Sequence, residues 1–195
     1  DDFDTNVCAI SWYGLNGPYA GFKGSDASIY ALTGLMQGIG QSQGPPIIPT
    51  GYQPQIVGGL SAFNGAAGYL LGQYFKDDNK STTFCLDASI LEANMCLTEI
   101  GAAMSFNQEP LPHRMGINRF APTYPLGIWP CKDGWLGVTV LNPAQWLAFC
   151  ELLGLDDLAA EPRYQNSMAR LDDVDILEPR FLQALSQYSA EDLFY

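Results

Sequence analysis

From Ala27 to Phe75 the chain carries no charged side chain. A run of that length must find either a membrane or a protein interior, because exposed apolar surface is costly in water. Gly44-Pro45-Pro46, Pro49, Gly51 and Pro54 interrupt it. A membrane-spanning helix needs about 20 predominantly apolar residues in one piece, and the longest uninterrupted stretch, which also contains Gln, Asn and Ser, reads instead as a buried helix of a soluble protein. With 195 residues the chain is long enough for one substantial domain, or one domain and a smaller appendage.

The remaining composition narrows the partners. With 21 acidic and 9 basic residues the formal charge is -12, which repels both a nucleic-acid backbone and an anionic membrane surface. Cys8, Cys85, Cys96, Cys131 and Cys150 are widely spaced among apolar neighbours and lack the paired spacing of zinc sites. They read as reduced core thiols in a cytoplasmic compartment, with no metal site. No basic, apolar leader pattern is present.

Val7 to Trp12 reads as a buried strand with almost no lead-in, followed by a glycine-rich loop, Gly14 to Asp26, and a helix over Ala27–Gly40. A proline-rich connector leads to a second helix, Gln55 to Tyr74. Its Ser61, Gly65, Gly68 and Gly72 form a stripe of small residues that would let another backbone approach closely. Thr82 to Ser89 predicts a short buried strand, and Ile90 to Met104 a further helix. The order strand, helix, helix, strand, helix is that of an α/β layered fold. Beyond Asn107 the sequence becomes an extended Pro- and Arg-rich connector, then a hairpin around Lys132-Asp133-Gly134. Asn142-Pro143 opens a helix ending at Gly154, with Trp146, Phe149, Cys150 and Leu153 on one face. Ala169 to Gln187 predicts the main helix of the acidic remainder. Ser189, Glu191 and Asp192 look like the start of a helix that is then missing, so both ends look cut.

Familiar catalytic constellations are mostly absent from the residues themselves. His113, the one histidine, sits in the proline-rich connector, and no phosphate-binding P-loop appears. The spacing of Gly14, Gly17, Gly21 and Gly24 does not match the dinucleotide fingerprint; such a loop could cradle an anion with its N–H groups or be a plain turn. Asp26 reads as a helix cap, Glu92 as a first-turn residue favoured by the macrodipole, and Asp133 as a turn residue. Lys23 is the one cation between the N-terminus and Lys76 and could meet a phosphate.

Taken in order, GLNGPYAGFKGSDASIYALTGLM, TGYQPQIVGGLSAFNGAAGYLLGQYF, FCLDASILEA and PHRMGINRFAPTYPLGIWPCKDGWLGVTVLNPAQWLAFCELLGLDDLAAEPRY resemble the family III CoA-transferases, the CaiB/BaiF group that includes 2-methylacyl-CoA racemases. The most specific piece is the hairpin and helix from Pro125 to Gly154. The resemblance implies a protein about twice this length, α/β in class, with a Rossmann-like large domain, a small α+β domain and two interlocked chains. On that template residues 1–106 are the C-terminal part of the CoA-binding large domain, 107–122 the linker and 123–195 a truncated small domain. The partners implied are an acyl-CoA and a carboxylic acid, with CoA as substrate and no tightly bound cofactor, and a homodimer or a hetero-oligomer with a family member.

In the family an aspartate attacks the thioester to form a mixed anhydride, a task for a carboxylate because it is both nucleophile and leaving group. Aligned through Gly58-Gly59-Leu60, that position here is Gln55, whose amide cannot form the anhydride. The racemases pair the same aspartate with a histidine, and its position here is Ser25, which makes racemisation the weaker reading. The resemblance would place CoA against Gly14, Gly17, Lys23 and Gly24 and the helix start at Gln55. Three readings stay open: a transferase with a shifted nucleophile or with catalysis supplied by a partner, a silent CoA-binding or structural subunit of a heteromeric or tandem transferase, and a degenerate remnant.

Overall fold

Strand β1 (Val7–Ser11) pairs in parallel with β2 (Cys85–Ser89), Val7 opposite Cys85 and Ser11 opposite Ser89. Parallel strands need a long crossover, and the intervening chain supplies it with helices α1 (Asp26–Leu32) and α2 (Gln53–Tyr74). This is a computed structural model that describes residues 5–75, 83–107 and 113–194. The chain divides into two compact bodies between Arg114 and Met115.

In the first body β1 is not the buried strand that its sequence predicts. Its residues alternate between half-buried and exposed, because successive side chains point to opposite faces of a two-stranded ribbon that has no further strands beside it among the described residues. The cysteines follow suit: Cys8, Cys85 and Cys96 are exposed, Cys131 is half-buried and Cys150 is buried, all as free thiols. The expectation of five core thiols therefore holds for one of them.

Helix α1 starts from a reciprocal cap, with the Ser28 N–H donating to Ser25 Oγ at 3.2 Å and the Ser25 N–H to Ser28 Oγ at 2.9 Å. Ser25 is thus the cap, not Asp26. The helix stops at Leu32, well short of Gly40, because Gly34 turns left-handed at φ +80° and leaves just a 3-10 turn at Leu35–Gln37.

Helix α2 begins two residues earlier than predicted, with Pro54 in its first turn. Its packed stripe is Gly58, Ala62 and Gly65. A Cβ on Gly58 would lie 2.8 Å from Ile90 Cγ1, and one on Gly65 would lie 2.9 Å from Leu86 Cδ2. Gly68 and Gly72 face open space and Ser61 is exposed, so the predicted stripe is displaced by about one turn toward the N-terminus. The rest of α2 contradicts the expectation of a buried helix: Ile56, Leu60, Phe63, Leu70 and Leu71 are each more than half exposed. No helix among the described residues is long and apolar enough to cross a membrane.

The helix predicted from Ile90 to Met104 is two, α3 (Ile90–Met95) and α4 (Glu99–Phe106), separated by a 3-10 turn at Cys96–Thr98. At this break Cys96 Sγ donates to the Ala93 carbonyl and Thr98 Oγ1 to the Met95 carbonyl, and such side-chain bonds compete with the helical ladder. The 41–44 loop is tied by Arg114, which donates to the carbonyls of Gln41 and Gly44 at 3.0 and 2.7 Å.

The second body opens with an antiparallel hairpin, β3 (Leu126–Pro130) and β4 (Trp135–Thr139), around the predicted Lys-Asp-Gly turn. Asn142 caps α5 (Pro143–Leu152), accepting from the Gln145 N–H at 3.0 Å. Trp146, Phe149, Cys150 and Leu153 are all buried, in a core shared with Tyr124, Trp129, Leu177, Phe181 and Leu185. Short α6 (Asp156–Ala160) is followed by α7 (Ser167–Asp172) and α8 (Val174–Leu185). The predicted Ala169–Gln187 helix breaks at Asp173, whose carboxylate is held by Arg163 and by the Tyr164 hydroxyl. The residues after Ser189 do form a helix, α9 (Ala190–Phe194), with its first N–H groups satisfied by Asp133 Oδ1 at 2.8 Å and Ser189 Oγ at 3.0 Å. Asp133 therefore does more than shape its own turn.

Candidate functional site

Where β1 ends, Trp12, Tyr13 and Gly14 lead into the glycine loop, and three contacts fix its path. The Leu91 N–H donates to the Trp12 carbonyl at 3.0 Å. The Tyr13 hydroxyl meets Ser28 Oγ at 2.7 Å. Gly14, at φ +89°, then reverses the chain so that the Leu15 N–H donates to Asp87 Oδ2 at 2.8 Å. Asp87, on β2, thus anchors the loop at its root.

The loop residues singled out by sequence have distinct local roles. Gly24 is obligatory by packing, since a Cβ there would fall 2.3 Å from Trp12 Cγ. Gly17 is set by its backbone, φ +99°, and faces open space; Lys23 is exposed. The N–H groups of Leu15, Ala20 and Phe22 bond within the chain, to Asp87, Gly17 and Tyr19 respectively. An anion cradled by this loop would have to use the others.

Past Gly24 the chain enters α1, and here the structure joins two residues that lie far apart in sequence. Gln55, exposed in the first turn of α2, donates from Nε2 to Asp26 Oδ2 at 3.0 Å. The other carboxylate oxygen, Asp26 Oδ1, is buried and has no hydrogen-bond partner. The carboxylate also acts on its surroundings. Burial, reinforced by the negative charge of Asp26, pushes the Tyr30 hydroxyl above its usual pKa.

The position of Gln55 is set by a residue that the sequence reading passed over. Asn94 is 1% exposed on α3 and donates both N–H groups of its amide, to the Pro54 carbonyl at 2.9 Å and the Ile90 carbonyl at 2.8 Å. Pro54 immediately precedes Gln55, so Asn94 locks the first turn of α2 to α3. Its sequence signal is a polar amide within ILEANM, Ile90 to Met95, four residues after Ile90 and so on its face of the helix. Glu92 lies in the first turn of α3, as predicted, its N–H donating to Ser89 Oγ at 3.2 Å. His113 is exposed.

The arrangement offers one carboxylate beside one amide, at the joined starts of two helices, the first of which follows directly on the glycine loop. Its fold is the α/β fold of the CaiB/BaiF group. A family member from Brucella suis superposes with a TM-score of 0.73 at 22% identity, over 96% of this chain and 48% of that one. The sequence model of CoA-transferase family III matches residues 7–194, and the chain belongs to that family. It is 27% identical over 184 residues to succinyl-CoA:glutarate CoA-transferase of Mus musculus, covering 92% of this chain and 41% of that protein. It is 24% identical over 181 residues to acetyl-CoA:oxalate CoA-transferase of Acetobacter aceti, covering 92% and 45%. The chain thus spans less than half the length of these relatives.

Proposed function

We propose that this chain supplies a central section of a family III CoA-transferase, one that moves CoA from an acyl-CoA to a carboxylic acid. The observation that carries the reading is the meeting of Gln55 and Asp26 at 3.0 Å, at the position where the family places its reacting carboxylate. The glycine loop, Gly14 to Gly24 with Lys23, runs directly into that point and is the segment against which CoA would lie. CoA is substrate in this reading, with no resident cofactor, and the compartment is the cytoplasm.

Residues 1–106 are proposed as large-domain sequence, Rossmann-like in kind, and 123–195 as the small domain. The exposed apolar side chains of α2, among them Ile56, Leu60 and Phe63, favour an assembly over a monomer. Its partner would be a second copy or another family member, interlocked with this chain.

Gln55 itself stays covalently silent, because an amide nitrogen is a poor nucleophile and a poor leaving group. A chain that binds CoA without reacting is the competing account. The two are separated by measuring CoA binding calorimetrically and acyl-CoA exchange with labelled carboxylates on the same sample. Binding with exchange supports a transferase, binding without exchange supports a silent subunit, and neither would sink both.

A further inference from the structure

We propose that the carboxylate which accepts the acyl group in this chain is Asp26. The proposal rests on the transferase reading above and assigns its reacting group. Position 55 carries an amide, yet a carboxylate oxygen stands one hydrogen bond away from it, 3.0 Å from Nε2.

Asp26 is not consumed by structural work. Ser25 and Ser28 complete the helix cap between them, and Asp26 is in no ion pair among the described residues. Its Oδ1 is buried without a partner, an arrangement that folded proteins rarely retain without a use. Oδ2 faces the exposed side chain of Gln55, whose N–H fixes the rotation of the carboxylate. Gln55 is then a positioning residue and Asp26 the catalytic one.

The chemistry closes as follows. Asp26 Oδ2 attacks the thioester carbonyl carbon; the C–S bond breaks, CoA leaves as thiolate, and the acyl group remains as a mixed anhydride on Asp26. The thiolate then attacks the aspartyl carbonyl carbon, releasing the donor acid as its carboxylate and leaving an aspartyl thioester. An acceptor carboxylate runs the same two steps in reverse. No oxidant, reductant or net proton is needed. In the anhydride Oδ1 becomes the aspartyl carbonyl oxygen, an atom that the fold already buries from solvent.

The sequence provides an unusually clean test. Trypsin cuts after Lys23 and Lys76, and between those cuts Asp26 is the sole carboxylate side chain. The protein is incubated with succinyl-CoA or acetyl-CoA, trapped with hydroxylamine, digested and mapped by mass spectrometry. The expected result is a hydroxamate on the peptide from Gly24 to Lys76, absent from Asp26→Asn, together with loss of acyl-CoA exchange in that variant. Gln55→Ala should keep the adduct but form it about 10-fold more slowly, the size of one charge-assisted hydrogen bond. CoA binding is measured in parallel on the wild type. An adduct on another peptide, exchange that persists in Asp26→Asn, or CoA binding with no adduct anywhere overturns the assignment and leaves the family reading of the site intact. Absence of CoA binding overturns both. The wild-type map decides even where Asp26→Asn fails to fold.

Discussion

Asn94→Ala should loosen the candidate site without touching its chemistry. Asn94 is 1% exposed and gives both amide N–H groups to carbonyls, Pro54 at 2.9 Å and Ile90 at 2.8 Å. Two such bonds contribute about 2 kcal/mol net, and the helical ladder of α2 still pairs the Pro54 carbonyl. Alanine's better helix propensity returns about 0.5 kcal/mol. The net loss is about 1.5 kcal/mol, a sizeable part of the roughly 5–15 kcal/mol that holds a domain together. Urea unfolding followed by far-ultraviolet circular dichroism reads it as a midpoint lowered by about 1 M. Asn94→Asp, isosteric but without the two donors, adds a pH signature. Its carboxylate would face two carbonyl oxygens in a buried site, so the folded state holds the proton more tightly than the unfolded chain does. Stability of that variant is then best at low pH and is lost as pH rises through the folded-state pKa, a slope that wild type lacks. An Asn94→Ala protein within about 0.5 kcal/mol of wild type, the range of an ordinary surface substitution, would refute the lock between α3 and the start of α2.

Three other predictions concern packing and thiols. Gly24→Ala forces a Cβ into Trp12, 2.3 Å from its Cγ, and should cost about 1–3 kcal/mol; an unchanged thermal midpoint would show that the loop does not pass there. Thiol-reactive probes should label Cys8, Cys85 and Cys96 in the native protein and reach Cys150 after unfolding. Burial pushes the Cys150 thiol up to about 12 from 9.0, so its contribution to stability is complete below pH 9 and is lost as pH climbs toward 12. An alkaline unfolding profile that does not change in Cys150→Ala would contradict this.

How much of this was readable in the residues depends on the kind of signal. The hairpin around Lys132-Asp133-Gly134, the Asn142 cap and the buried face Trp146, Phe149, Cys150 and Leu153 are local patterns, and they appear where the sequence puts them. Helix lengths were less legible. Gly34, Thr98 and Asp173 each end or break a run whose apolar spacing continues past them, because a left-handed glycine or a side-chain hydrogen bond outweighs periodicity at that point. Burial in the first body was misjudged for a different reason. Apolar spacing indicates which face seeks a partner, and on α2 the described residues cover Pro54, Gly58 and Ala62 while leaving Ile56 and Phe63 exposed. The candidate site was half visible: Gln55 could be named from sequence, whereas Asp26 read as a helix cap, and their contact is a product of how α1 and α2 pack. Asn94 was passed over since a single amide in a short helix carries no motif.

The claim that the joined starts of α1 and α2 form the thioester site is tested most directly by hydrogen–deuterium exchange of the protein with and without CoA. Slower exchange on CoA addition in residues 14–28 and 53–60, with residues 126–185 unaffected, is the predicted result. CoA binding that protects residues 126–185 instead, or that leaves 14–28 and 53–60 unchanged, would contradict the account.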